Sequence, residues 1–201
     1  MAIIVMVCGQ SGTGKSTSLR NFKPEEVCVV NVSRKPLPFR NKHKTFNTDD
    51  YSAIDAAIRK APAKSIVIDD ATYLMTGEYM RTANVTGYKK FVTLALNFYT
   101  LIKVAASLPD DKIVYFLGHV DTDPNGNEKF KTIGKMLDEK ITLEGMFTIV
   151  LKTVVQDGKY FFSTQNNGQD TVKSPMGMFE APLIENDLAA VDAAIREYYG
   201  I

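Results

Sequence analysis

The distribution of apolar and polar residues predicts strands and helices in alternation along the chain. Continuous apolar runs indicate strands buried on both faces, as in a parallel sheet, at Ile3–Cys8, 27–32, 66–68 and 113–117. Apolar residues at helical spacing predict helices at 15–22, Tyr51–Lys60, 88–108 and 187–199. Asn186 is the expected cap of the last helix, and Gly200 is its expected end.

A tight hairpin is predicted after these alternating elements. Asp157 and Gly158 separate two apolar runs, at 147–155 and Lys159–Ser163, and this dipeptide favours a two-residue turn. Strand–helix alternation followed by a hairpin predicts an α/β fold, with a mostly parallel sheet between helices and one antiparallel hairpin edge. No repeat or linker interrupts the sequence, so we expect a single domain over residues 1–201.

Composition restricts the classes of partner. The 201 residues are 45% hydrophobic and 23% charged, and the net charge is only +1. Nucleic acid would therefore have to bind a local basic surface rather than a chain of high overall charge. Cys8 and Cys28 lie in apolar runs and are expected to be buried free thiols. No apolar stretch approaches the length of a membrane span, so we expect a soluble cytoplasmic protein without a membrane partner.

A glycine-rich segment directly after the first strand carries the strongest chemical signal. It satisfies the pattern G-x-x-x-x-G-K-[ST] and is followed by a predicted helix. Its backbone N–H groups are expected to surround phosphate oxygens, with help from the amino terminus of that helix. Lys15 should reach the β- and γ-phosphates of ATP, and the Ser16 hydroxyl should bind Mg²⁺. The expected nucleotide-binding residues are Gly9, Gln10, Ser11, Gly12, Thr13, Gly14, Lys15, Ser16 and Thr17.

Polar residues at the ends of two later strands are candidates for the rest of a catalytic site. Asp69 directly follows an apolar run and is the expected carboxylate on the magnesium side. Asp70 could activate a water molecule or could instead cap a helix over 71–81. His119, at the end of another strand, is a candidate sensor of the terminal phosphate. Glu78 is a weaker candidate base, for which an exposed helix face is the simpler interpretation.

Two lysine-rich segments, 34–44 and 121–140, are candidate contacts for single-stranded DNA. Each is predicted to be a loop, and Phe130 lies between lysines in the second. Cationic side chains follow phosphates, and an aromatic ring can stack on an unpaired base. Ordinary solvated loops would have the same composition. The two segments therefore favour a DNA-binding function only when they are considered together with the phosphate loop.

The order of these parts resembles the RecA-type core: phosphate loop, acid-tipped strand, polar-tipped strand, basic loop and hairpin. The chain further resembles the small phage-encoded RecA-like ATPases of the Sak group of single-strand annealing and recombination proteins. The similar segments are 9–17, 65–70, 118–120, 172–179 and 186–188. The resemblance implies ATP, Mg²⁺, single-stranded DNA, assembly into a homo-oligomeric ring or filament, and a role in phage recombination or replication in the host cytoplasm. A single-strand-binding protein is a further candidate partner.

The same resemblance implies that a basic residue after the last hairpin reaches the nucleotide of a neighbouring subunit, and Lys173 has a roughly matching place. One departure leaves the water-activating residue open. RecA has a catalytic glutamate after an earlier strand, whereas here no acid follows Val32 until Asp49, so slow hydrolysis is expected.

Two other functions remain compatible with these motifs. One is a nucleoside or nucleotide kinase, although such enzymes surround the transferred phosphoryl group with arginines, and the arginines here are widely scattered. The other is a slow nucleotide-dependent switch or assembly factor, which would share every motif.

Overall fold

A mixed sheet of eight strands forms the centre of the computed structural model, which describes residues 1–40, 43–134, 137 and 140–201. The strands of this sheet are β1 (Ile3–Cys8), β2 (Val27–Asn31), β3 (Thr45–Asn47), β4 (Ser65–Asp69), β5 (Ile113–Gly118), β8 (Ile149–Gln156), β9 (Lys159–Ser163) and β10 (Leu183–Glu185). A separate two-stranded ribbon consists of β6 (Val120–Thr122) and β7 (Glu128–Phe130).

The strand order is β10-β9-β8-β1-β5-β4-β2-β3. The six strands from β8 to β3 are mutually parallel, whereas β9 pairs antiparallel with both β8 and β10. The predicted α/β class and antiparallel hairpin edge are therefore confirmed. Asp157 and Gly158 connect β8 to β9 with positive φ angles of 51° and 72°, as a two-residue hairpin turn requires.

Helices cover both faces of the sheet. Helices α1 (Tyr51–Lys60), α2 (Thr72–Arg81) and α3 (Tyr88–Ala106) pack on one face, and α4 (Leu188–Tyr199) packs on the other. The central strands β1, β4 and β5 are buried along almost their whole length, which explains their continuous apolar sequences. In the described part of the chain, no helix is both long enough and apolar enough to cross a membrane.

The helix predicted at 15–22 is a short 3-10 helix, Ser16–Asn21. Three consecutive hydroxyl residues begin it, and such side chains compete for backbone hydrogen bonds. The Ser18 hydroxyl donates to the Lys15 carbonyl over 2.6 Å, and Phe22 is already extended. This 3-10 helix is shorter than the predicted helix, so its dipole can help less in attracting phosphate to the preceding loop than was expected from the sequence.

The predicted basic loop at 121–140 is partly a β-ribbon. Phe130, expected to be available for base stacking, is 1% exposed and stacks on Phe98 with ring centroids 6.0 Å apart. It also fills the space beside Gly118, where a Cβ atom would lie 2.4 Å from its ring. The expectation that Phe130 stacks on DNA is therefore wrong. Lys42 and Lys135 of the two basic segments lie outside the described residues.

Two further details differ from the sequence interpretation. Asp187, not Asn186, caps α4, because its carboxylate accepts from the backbone N–H groups of residues 189 and 190. Glu78 does not lie on an exposed helix face: it is half-buried and accepts a 2.7 Å hydrogen bond from Asn97 of α3. Gly200 ends α4 in the left-handed region, as predicted.

Candidate functional site

The candidate residues meet at the carboxyl ends of the parallel strands. Strand β5 lies between β1, which leads into residues 9–17, and β4, which ends in Asp69. Because the strands are parallel, the segments that follow them emerge on the same edge of the sheet, where ligands of open α/β sheets bind. A cavity of about 260 Å³ at this edge is lined by Lys15, Ser16, Asp69, Asp70 and His119, among others.

The backbone of residues 9–17, the phosphate loop, depends on its glycines. Gly12 and Gly14 have φ angles of 78° and 96°, a region that side chains disfavour. Gly9 is required for a different reason: a Cβ atom there would lie 1.9 Å from the Thr153 hydroxyl of β8. That hydroxyl lies 2.5 Å from the hydroxyl of Thr13, so β8 holds the far side of the loop.

Lys15 crosses the inside of the phosphate loop. Its ammonium group donates to the carbonyl oxygens of Gly9 and Gln10 over 2.9 and 2.8 Å, and the residue is 6% exposed. Burial lowers the pKa of Lys15, while the charges of Asp70 and Asp69 oppose that shift. The ammonium is therefore positioned at the loop, where an anion would compensate its burial.

Ser16 and Asp69, the two candidate magnesium ligands, contact each other. The Ser16 hydroxyl donates to Asp69 Oδ1 over 2.9 Å. Burial, and then the neighbouring charge of Asp70, raise the pKa of Asp69 to about 6, while the Ser16 hydrogen bond opposes the shift. No group of three or more His, Cys, Asp or Glu side chains suited to a metal occurs among the described residues. Two hard oxygen ligands nevertheless fit Mg²⁺, which commonly binds few protein groups together with substrate phosphates.

Asp70 faces the cavity and does not cap α2. Its φ angle is 61°, an uncommon conformation for a non-glycine residue, and α2 begins after it without a side-chain cap. Asp70 Oδ1 lies 3.7 Å from Nε2 of His119. Burial disfavours the ionised carboxylate, but contacts with His119, Ser33 and Lys35 outweigh this and lower the pKa of Asp70. A charged acceptor is thus held beside the phosphate loop.

Lys35 is a cavity residue that the sequence interpretation assigned to a DNA-binding loop. Its ammonium lies 3.8 Å from Asp70 Oδ2 and 5.1 Å from the ring centre of Tyr73. The Tyr73 ring also meets His119 edge to face, with centroids 5.6 Å apart. A positive charge therefore occupies the segment after β2, the segment in which a counterpart of the RecA catalytic glutamate would be expected. Nothing in the local sequence separates Lys35 from the other basic residues of 34–44.

Lys173 does not line this cavity. Its backbone pairs with Val150 of β8, through hydrogen bonds of 2.8 and 2.9 Å. Any contact between Lys173 and a nucleotide would therefore involve the site of a second subunit, and its role stays a prediction. The predicted binding residue Gln10, in the phosphate loop, donates a long side-chain hydrogen bond of 3.4 Å to the Thr122 hydroxyl of the ribbon.

Comparison with models of known protein families gives no match, and comparison with curated proteins of known function gives none either. The functional interpretation therefore depends on the geometry of the cavity and on the residues that surround it.

Proposed function

We propose that this protein is a RecA-like P-loop ATPase that binds Mg²⁺ and ATP and acts on single-stranded DNA. One observation supports the proposal most: the phosphate loop with Lys15, the Ser16–Asp69 pair and the Asp70–His119 pair surround one cavity. These groups come from three separate strands. Together they offer a phosphate-binding cation, magnesium ligands and a carboxylate able to orient water.

Each residue has a definite task in this proposal. Lys15 would exchange its two carbonyl contacts for phosphate oxygens, and Ser16 and Asp69 would hold Mg²⁺. When bound, Mg²⁺ neutralises charge on the β- and γ-phosphates. Asp70 would accept a hydrogen bond from the attacking water, while His119 holds that carboxylate in place from the end of β5.

The strand order supports one shared site for the phosphate loop, the acid pair Asp69 and Asp70, and His119. The polar-tipped strand β5 separates the phosphate-loop strand β1 from the acid-tipped strand β4. His119, directly after β5, consequently lies at the same sheet edge as the phosphate loop and Asp70, where the three could act on one nucleotide. The missing acid after β2 remains a departure, and slow hydrolysis is expected as a result.

The cavity favours hydrolysis over phosphoryl transfer to a small molecule. Kinases neutralise the transferred group with arginines. Among the described residues that line the cavity, the basic side chains are Lys15, Lys35 and His119, and none is an arginine. Arg34, the arginine next to Lys35, pairs instead with Asp49 over 2.9 Å.

The proposed partners follow from the resemblance to the Sak group and from basic residues outside the cavity. Arg40, Lys131 and Lys140 are exposed and could contact DNA phosphates. A homo-oligomeric ring or filament would allow Lys173 to reach a neighbouring nucleotide. Phage recombination or replication is the proposed biological setting.

ATP turnover with Mg²⁺, measured with and without single-stranded DNA, tests this proposal. We expect weak basal hydrolysis that increases with DNA and disappears in Lys15→Ala. Lys173→Ala should lower turnover in the assembled protein while the ATP affinity of the isolated subunit stays unchanged, since its contact would be made in trans. Lys15-dependent turnover that is indifferent to DNA would refute the DNA-dependent motor. A screen of nucleosides as phosphoryl acceptors would then test the kinase alternative.

A further inference from the structure

A second cavity adjoins the phosphate site. It has a volume of about 640 Å³, within the range typical of small-molecule sites, and lies beside β9 and the end of β10. Gly12 and Thr17 of the phosphate loop line both cavities, which makes the two spaces neighbours across the loop. A ligand whose phosphates occupy the first cavity could therefore extend into the second.

Asn186 in this second cavity has an unusual environment. It is 1% exposed, yet neither its side-chain oxygen nor its side-chain nitrogen has a hydrogen-bond partner among the described residues. Buried polar groups without partners are costly and rare in folded proteins, so each requires an explanation. The amide lies against the phosphate loop, with Oδ1 only 3.1 Å from the position that a Cβ atom on Gly14 would occupy.

Two flat side chains border the same cavity. The Tyr160 ring lies 3.0 Å from that same position beside Gly14, so it is adjacent to the Asn186 amide, and the residue is 47% exposed. Arg20 also lines the cavity, and its guanidinium is held by Glu185 at 3.2 Å and by the carbonyl oxygen of Asn186. An aromatic ring and a fixed guanidinium plane are both surfaces on which a nucleobase stacks.

We propose that the second cavity binds the base and ribose of the nucleotide and that Asn186 selects adenine. This inference rests on the proposed function of the phosphate loop. An asparagine amide presents one donor and one acceptor side by side, which matches the N6 donor and N7 acceptor of adenine. The corresponding edge of guanine presents two acceptors and leaves the amide half unsatisfied. Rotation of the exposed Tyr160 ring opens the amide to the cavity and places the ring over the base.

Binding of three ligands to the full-length protein tests this assignment. ATP, GTP and inorganic tripolyphosphate would be titrated with Mg²⁺ by calorimetry, because tripolyphosphate engages the phosphate loop without any base. We expect the wild-type protein to prefer ATP over GTP by about tenfold or more, the discrimination typical of one paired amide. In Asn186→Leu, the ratio of ATP affinity to GTP affinity should approach one, while the affinity for tripolyphosphate stays unchanged.

The leucine side chain has the same number and branching of heavy atoms as asparagine and removes the unpaired polar atoms, so the melting temperature of this variant should not fall. Asn84→Leu is the matched control, because Asn84 is an exposed asparagine in the turn after α2 and does not line the cavity. It should leave the ATP-to-GTP ratio unchanged. Tyr160→Ala, at an exposed position, should weaken both nucleotides several-fold but not tripolyphosphate.

Two results would overturn the inference in distinguishable ways. Equal affinity for ATP and GTP in the wild-type protein, with Lys15-dependent tripolyphosphate binding intact, refutes the base site and leaves the phosphate loop in place. A parallel loss of ATP and tripolyphosphate affinity in Asn186→Leu also refutes it, because Asn186 would then act on the loop. Absence of Lys15-dependent binding of all three ligands refutes the proposed function itself.

Discussion

Replacing Lys35 by alanine tests whether this lysine faces the terminal phosphate of ATP. Its ammonium borders the phosphate cavity, 3.8 Å from Asp70, on a segment separate from the phosphate loop. Lys15 would contact the phosphates from inside the loop, and Lys35 would contact the γ-phosphate from the segment after β2. The adjacent Arg34 pairs with Asp49 and does not line the cavity, so it is a matched control of equal charge.

The expected effect of this substitution is moderate. A hydrogen bond to a charged group contributes about 1.5–3 kcal/mol. The Lys35 side chain is 66% exposed, so solvent screens its charge and reduces the contribution to about 1–2 kcal/mol. That range corresponds to a loss of roughly 5- to 30-fold in ATP affinity. Lys15 is buried and would contact two phosphate oxygens, so Lys15→Ala should cost about 3–5 kcal/mol.

Equilibrium titration with a non-hydrolysable ATP analogue and with ADP would measure these differences. ADP lacks the γ-phosphate, so Lys35→Ala should change its affinity less than about twofold. The analogue should bind the wild-type protein with a steeper salt dependence than it binds Lys35→Ala, since one screened charge is lost. Equal losses for ADP and the analogue would contradict the assignment, as would a loss in Arg34→Ala that matches the loss in Lys35→Ala.

Three further substitutions test Gly9 of the phosphate loop, the carboxylate of Asp70 and the buried thiol of Cys8. Gly9→Ala should lower ATP affinity at least about tenfold, because the new Cβ would meet the Thr153 hydroxyl at 1.9 Å. Adding Thr153→Ala should restore part of the loss, since a second contact with the Thr13 hydroxyl at 2.9 Å remains, and no recovery in the double variant would argue against the Thr153 contact. Asp70→Asn should reduce turnover about 10²- to 10⁴-fold while ATP binding is retained, as compared by steady-state kinetics and titration. Loss of binding and turnover in equal measure would refute its role in water activation. Burial raises the pKa of the Cys8 thiol from 9.0 to about 12, so the thiol ionises at lower pH in the unfolded state than in the folded state. Between pH 9 and 12 this one group should therefore lower the free energy of unfolding by at most about 1.4 kcal/mol per pH unit. Denaturant titrations should show a flatter decline in Cys8→Ala, and an unchanged slope would contradict this prediction.

Much of the fold could be predicted because its signals are local. Strand β1 and helix α1 have the predicted bounds, since continuous apolar runs and helical spacing are properties of neighbouring residues. The hairpin turn was predictable for the same reason. Strands β3 and β10 were missed because each has three residues and neither is fully buried, so no apolar pattern distinguishes them from loops.

The sequence by itself also determined which residues are candidates for phosphate and magnesium binding. Glycines at fixed spacing, a lysine and a hydroxyl residue follow one another directly, and an acid follows a strand, so each role is encoded within a few residues. The structure brings the two candidate ligands, Ser16 and Asp69, within 2.9 Å of each other.

Only the tertiary structure decided which distant side chains join that site. Lys35 lines the cavity and Phe130 is buried, although both belong to basic segments that were expected to contact DNA. Asn186 looked like a helix cap, but folding places its amide against Gly14. The physical reason is that strand order and the packing of β9 and β10 set these contacts. Both depend on pairings between residues far apart in sequence, which no local pattern records.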